Sequence, residues 1–68
     1  MYKQIIDALS QKITCVKRLE DNAFIPFDPA NTDYQQFKIQ VADGTPLEDP
    51  EGNVMTQEQV DAFLKTIP

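Results

Sequence analysis

Apolar positions fall into a few clusters along this chain, each with its own spacing. The clearest is Val60, Phe63, Leu64 and Ile67, which recur at i, i+3, i+4 and i+7 and predict an amphipathic helix over about 56–67. Thr56-Gln57-Glu58-Gln59 ahead of it has capping-box spacing: the Thr56 hydroxyl accepts from the Gln59 amide and the Gln59 side chain reaches back. Met55 can staple onto Val60, and Pro68 marks the stop. A second stripe, Tyr34, Phe37 and Val41, predicts a helix over about 32–43 with Ile39 off its main face. Thr32 with Gln35 repeats the capping box, Asp33 complements the helix dipole, and Gly44 after Asp43 suits the C′ position.

The remaining clusters are shorter. Lys12–Leu19 is rich in β-branched residues and ends at the turn-like Glu20-Asp21-Asn22, which predicts a strand with Ile13 and Cys15 on one face and Thr14 and Val16 on the other. Residues 2–9 fit two templates. Tyr2, Ile5, Ile6 and Leu9 have helical spacing, whereas Tyr2–Ile6 as a strand would form a hairpin with 12–19 through the connection Asp7–Gln11. Ala23–Phe27 is apolar and extended, and Pro26, which cannot donate to a ladder, confines it to a sheet edge. Asp28-Pro29 breaks regular pairing. Thr45–Asn53, with Pro46, Pro50 and Gly52, reads as a loop. The fold class expected is α+β: an N-terminal β-hairpin over about 2–19 and an extended edge segment at 23–27, packed with two short helices in one small domain, 1–68.

Length sharpens this picture. A chain of 68 residues buries only about 60% of its unfolded surface and has a thin stability margin. Cys15 is the only cysteine and there is no histidine, so neither a disulfide within the chain nor a Cys/His zinc site can staple the core. Stability has to come from packing or from a partner. Met1–Asp7 lacks the apolar h-region of a signal peptide and no apolar run matches a membrane span, which predicts a cytosolic setting without membrane contact.

Charge is unevenly spread. The net charge is −5, but residues 1–18 hold Lys3, Lys12, Lys17 and Arg18 against Asp7, a balance of +3, while 19–68 hold ten acids against Lys38 and Lys65, a balance of −8. Four basic residues are too few for a conventional nucleic-acid face, so no nucleic-acid partner is expected. The acidic half serves solubility, and it also suits a basic protein surface or nucleic-acid mimicry.

Chemistry is sparse. Histidine catalysis is excluded, and Cys15 has no base beside it in any predicted element, so it reads as a small packed strand residue. Carboxylates abound, but paired-carboxylate chemistry needs a cleft that a chain of this length rarely builds. The loop Asp43–Asn53 lacks the acid pattern and closing glutamate of an EF-hand, and no phosphate-cradling glycine motif is present. The expectation is a non-enzyme with no cofactor and no metal. Phe24, Phe27, Tyr34, Phe37 and Phe63 are core candidates, yet a domain this small has difficulty burying all of them with Tyr2. The surplus points to a partner-binding patch drawn from Phe24, Ile25, Pro26, Phe27, Pro29 and Tyr34.

The run Ile25-Pro26-Phe27-Asp28-Pro29-Ala30-Asn31-Thr32-Asp33-Tyr34-Gln35 resembles an "IPxDPANTDYQ" segment of small tailed-bacteriophage proteins. There a short β-hairpin leads into this segment, followed by a helix and an acidic, proline-containing tail. The resemblance covers about residues 11–46. It implies a phage origin and a small structural or accessory component of head or tail, acting by protein–protein docking within an assembly. Phage structural proteins or a host protein would be its partners, and the virion or the bacterial host cytoplasm its location. It implies no catalytic residues. This chain departs from the pattern at Asp7–Gln11, which lacks a glycine turn, and at Lys38-Ile39-Gln40-Val41, which replaces a more apolar, tryptophan-bearing run. Two other roles stand beside it: an acidic effector that inhibits a host enzyme or defence protein, motivated by the −8 half, and an assembly chaperone for tail or fibre proteins.

Overall fold

A computed structural model describes residues 1–67, in which the first two apolar clusters pair as an antiparallel hairpin, β1 (Tyr2–Ile6) with β2 (Ile13–Arg18). The helical spacing through Leu9 is incidental, since Leu9 lies in the turn and is 96% exposed. That turn closes without glycine. The Asp7 amide donates to the Lys12 carbonyl and the Gln11 amide to the Asp7 carbonyl, both at 2.8 Å, while Gln11 itself takes the left-handed conformation with φ 59°. Ile5 pairs with Cys15 but Ile6 with Ile13, leaving Thr14 as the extra residue of a bulge.

β3 (Ala23–Pro26) pairs antiparallel with β2 at the edge of the sheet, and Pro26 ends the strand. There its missing N–H is tolerated. α1 (Thr32–Ala42) then crosses to β4 (Leu47–Glu48), which lies parallel to β1 with Leu47 opposite Tyr2. The order β3-β2-β1-β4 makes a four-stranded mixed sheet in which β3 and β4 run the same way with two strands between them. Such a parallel return requires a crossover, and α1 supplies it.

β4 lies inside the segment expected to be a loop. The Tyr2 amide donates to the Pro46 carbonyl at 3.1 Å and the Met55 amide to the Leu47 carbonyl at 2.8 Å, holding Leu47 in the core. The cap of α1 also differs from expectation by one residue. Asn31, not Thr32, is the N-cap: its Oδ1 accepts from the Tyr34 amide at 3.1 Å, while the Gln35 side chain donates to the Pro29 carbonyl. Asparagine is the stronger cap, and a turn in which the Asn31 amide donates to the Asp28 carbonyl at 2.8 Å places it there. At the other end the Thr45 amide donates to the Gln40 carbonyl (3.0 Å) and the Gly44 amide to Val41 (3.3 Å), a Schellman motif with Gly44 at φ 106°.

α2 (Gln57–Leu64) has both halves of its capping box, the Gln59 amide to Thr56 Oγ1 at 3.1 Å and the Thr56 amide to Gln59 Oε1 at 3.0 Å. The helix is shorter than 56–67. Ile67 packs on the core from beyond its C-cap, Lys65, and the stop expected at Pro68 falls outside the described residues.

The core gathers Tyr2, Val16, Ile25 and Leu47 from the sheet with Tyr34, Phe37 and Val41 of α1 and Val60 of α2. Each fully buried large apolar side chain contributes about 1.5–3 kcal/mol. Tyr2 meets Phe37 edge-on with centroids 4.9 Å apart and its hydroxyl donates to Gln40 Oε1, so β1 is keyed to α1 by packing and by a polar tip. The architecture is the small α+β fold with an N-terminal hairpin that the sequence pattern implied.

Candidate protein-docking surface

Both helices contribute to one core on one side of the sheet, so strand alternation leaves the other side uncovered. Tyr2, Gln4, Val16, Ile25 and Leu47 lie beneath the helices, and their alternates Lys3, Ile5, Cys15, Lys17, Phe24, Pro26 and Glu48 lie on the open face. The register aligns these into two rows across the strands. One reads Phe24, Lys17, Lys3, Glu48; the other reads Pro26, Cys15, Ile5.

Phe24 is 63% exposed, and the Lys17 ammonium lies over its ring, 5.7 Å from the centroid. Lys3 stands directly opposite Lys17, a like-charge cross-strand pair that destabilises the isolated sheet. Among the described residues neither lysine has an ion pair. The ion pairs among the described residues are those of Arg18, which reaches Asp21 at 2.9 Å and Asp33 at 3.3 Å and so ties the β2–β3 turn to the start of α1, and that of the N-terminal ammonium with Glu20. Hydrogen bonding to Asp21 raises the Arg18 guanidinium further and holds the Asp21 carboxyl below its ordinary range. Arg18 is in register with Tyr2 on the covered side, so among the described residues of the strands the open-face cations are Lys3 and Lys17.

The residues expected to form a partner patch do not make one surface. Ile25 and Tyr34 are buried in the core, and Phe27 is half-buried between Tyr34, at 5.5 Å, and Phe63, at 6.0 Å. Phe24 and Pro26 are exposed on the open sheet face, and Pro29 is exposed in the turn before α1. Lys3, Ile5, Cys15 and Lys17 join Phe24 and Pro26 there. None of these four was singled out from the sequence as a docking residue, because only the strand register shows that they are neighbours.

Elsewhere the polar groups are occupied locally. In the loop after β4, Asp49 Oδ1 accepts from the amides of Glu51 and Asn53, both at 2.9 Å, and the Asn53 amide leads in holding its carboxyl below the usual range. Burial raises the Tyr2 and Tyr34 hydroxyls. Cys15 is a half-buried free thiol. Among the described residues there is no group of three or more metal-ligating side chains, no pocket, and no helix long and apolar enough to cross a membrane. No family model, curated protein or solved structure matches this chain.

Proposed function

We propose that this chain is a docking module, a small structural or accessory component of a tailed-bacteriophage particle that works through protein–protein contact rather than catalysis. The observation that carries the reading is the half-covered sheet: a core closed on one side, and on the other an aromatic and aliphatic surface of Phe24, Pro26, Cys15 and Ile5 beside the paired Lys17 and Lys3. Such a surface offers an exposed aromatic anchor of the kind that concentrates binding energy where proteins meet. The phage setting comes from the Ile25–Gln35 segment.

Co-sedimentation with purified particles tests the proposal. The chain stays with the particle through gradient purification; its absence from particles, together with its recovery on a host protein, would instead favour the acidic effector.

A further inference from the structure

We propose that the occupant of the open sheet face is a second copy of this chain, seated through the outer side of its α1 around Ile39, so that copies stack head to tail. The proposal rests on the reading of that face as a docking surface and names its partner. Ile39 is 69% exposed. It lies two residues beyond the buried Phe37, about 200° around the helix, and so points away from the core. Phe24 and Ile39 are therefore prominent apolar side chains on opposite sides of one molecule, and no copy can join its own two.

Their surroundings are complementary. Phe24 has Lys17 beside it and Lys3 one strand further on, whereas Ile39 is followed one turn later by the exposed Asp43 at the C-cap of a helix with no basic residue in its last turn. The negative end of the helix dipole adds to that carboxylate. Spacing agrees as well: one helical turn from Ile39 to Asp43 rises about 6 Å, close to the about 5 Å between adjacent strands that separates Phe24 from Lys17. An Ile39 side chain resting on Phe24 brings Asp43 beside Lys17.

Edge-to-edge strand pairing is blunted by Pro26 at the end of β3 and by the two-residue length of β4. A head-to-tail contact uses two different patches, so it propagates into a ring or a filament, as a repeating particle component requires.

Sedimentation velocity of the purified chain from micromolar to millimolar concentration tests this. The wild-type mass rises with concentration. Phe24→Ser and Ile39→Ser each weaken association at least about tenfold, with circular dichroism unchanged because both side chains are exposed. Mixed one to one, the two variants retain one intact pair of patches and form a dimer that goes no further. A wild-type chain monomeric at millimolar concentration, an Ile39→Ser chain that associates like wild type, or a mixture that stays monomeric would overturn the proposal. A chain present in particles yet monomeric in solution overturns the self-docking and leaves the particle role; one that self-associates but is missing from particles does the reverse.

Discussion

Lys17 stands over the ring of Phe24, its nitrogen 5.7 Å from the centroid, on strands whose register makes the two residues direct partners. The contact leaves Phe24 exposed and Lys17 only half-buried, and Lys3 on the far side of Lys17 offers no relief of charge. An anion arriving at this row meets a positioned cation beside an exposed aromatic ring, an arrangement that favours binding more than it favours the fold.

Phe24 and Phe27 are separated by three positions in sequence and have opposite roles. Phe24→Ser is expected to change unfolding free energy by less than about 0.5 kcal/mol, as for a surface substitution. Phe27→Ser removes packing against Tyr34 and Phe63 and is expected to cost about 2–4 kcal/mol, a large share of the stability of a domain this small. Urea denaturation of the two variants checks the contrast; equal losses would mean that Phe24 is part of the core.

The first helix tests which residue caps it. Asn31→Ala should cost about 1 kcal/mol and Thr32→Ala only a few tenths, while Thr56→Ala, at the cap of α2, should again cost about 1 kcal/mol. Denaturation midpoints decide the order, and a larger loss at Thr32 than at Asn31 would return the cap to Thr32.

The layout was largely legible because local signals agreed with one another. The α1 stripe Tyr34, Phe37 and Val41 is buried as its spacing implied, the Thr56 capping box is complete, and Pro26 marks a sheet edge. What local signals left open or hid was set by distant partners. Tyr2–Ile6 carries both a helical and a strand pattern, and pairing with β2 selects the strand. Leu47-Glu48 is too short to show any alternation, and it becomes a strand only because Tyr2 lies beside it. The docking residues were partly visible for the same reason: Phe24 stood out as surplus aromatic surface, but its neighbours Lys17, Lys3 and Ile5 come from other strands.

Gly44 has φ 106° and no atom within 4 Å of where a Cβ would stand. Gly44→Ala therefore incurs backbone strain without a clash, and a loss of about 1–2 kcal/mol is expected. Thermal unfolding measures it; an unchanged transition would show that the Schellman turn relaxes freely.

Acid should destabilise the fold through Asp21. Its folded carboxyl is held below its ordinary value chiefly by the Arg18 hydrogen bond, so the unfolded chain binds protons more readily. The contribution is fully present above the unfolded carboxyl value, about pH 4, and is lost as pH falls through the lower folded value. Melting temperature followed from pH 7 down to pH 2 should drop on the acid side, and Asp21→Asn should flatten part of that drop. Identical profiles for wild type and variant would remove Asp21 from the acid response.

Incorporation of the chain into particles, compared between wild type and Phe24→Ser by quantitative mass spectrometry of purified virions, probes the docking role most directly. Wild type should be present in fixed stoichiometry, and the folded Phe24→Ser chain should be depleted at least about tenfold. Equal incorporation of the two chains, or the absence of both, would contradict a particle component that docks through the open face of its sheet.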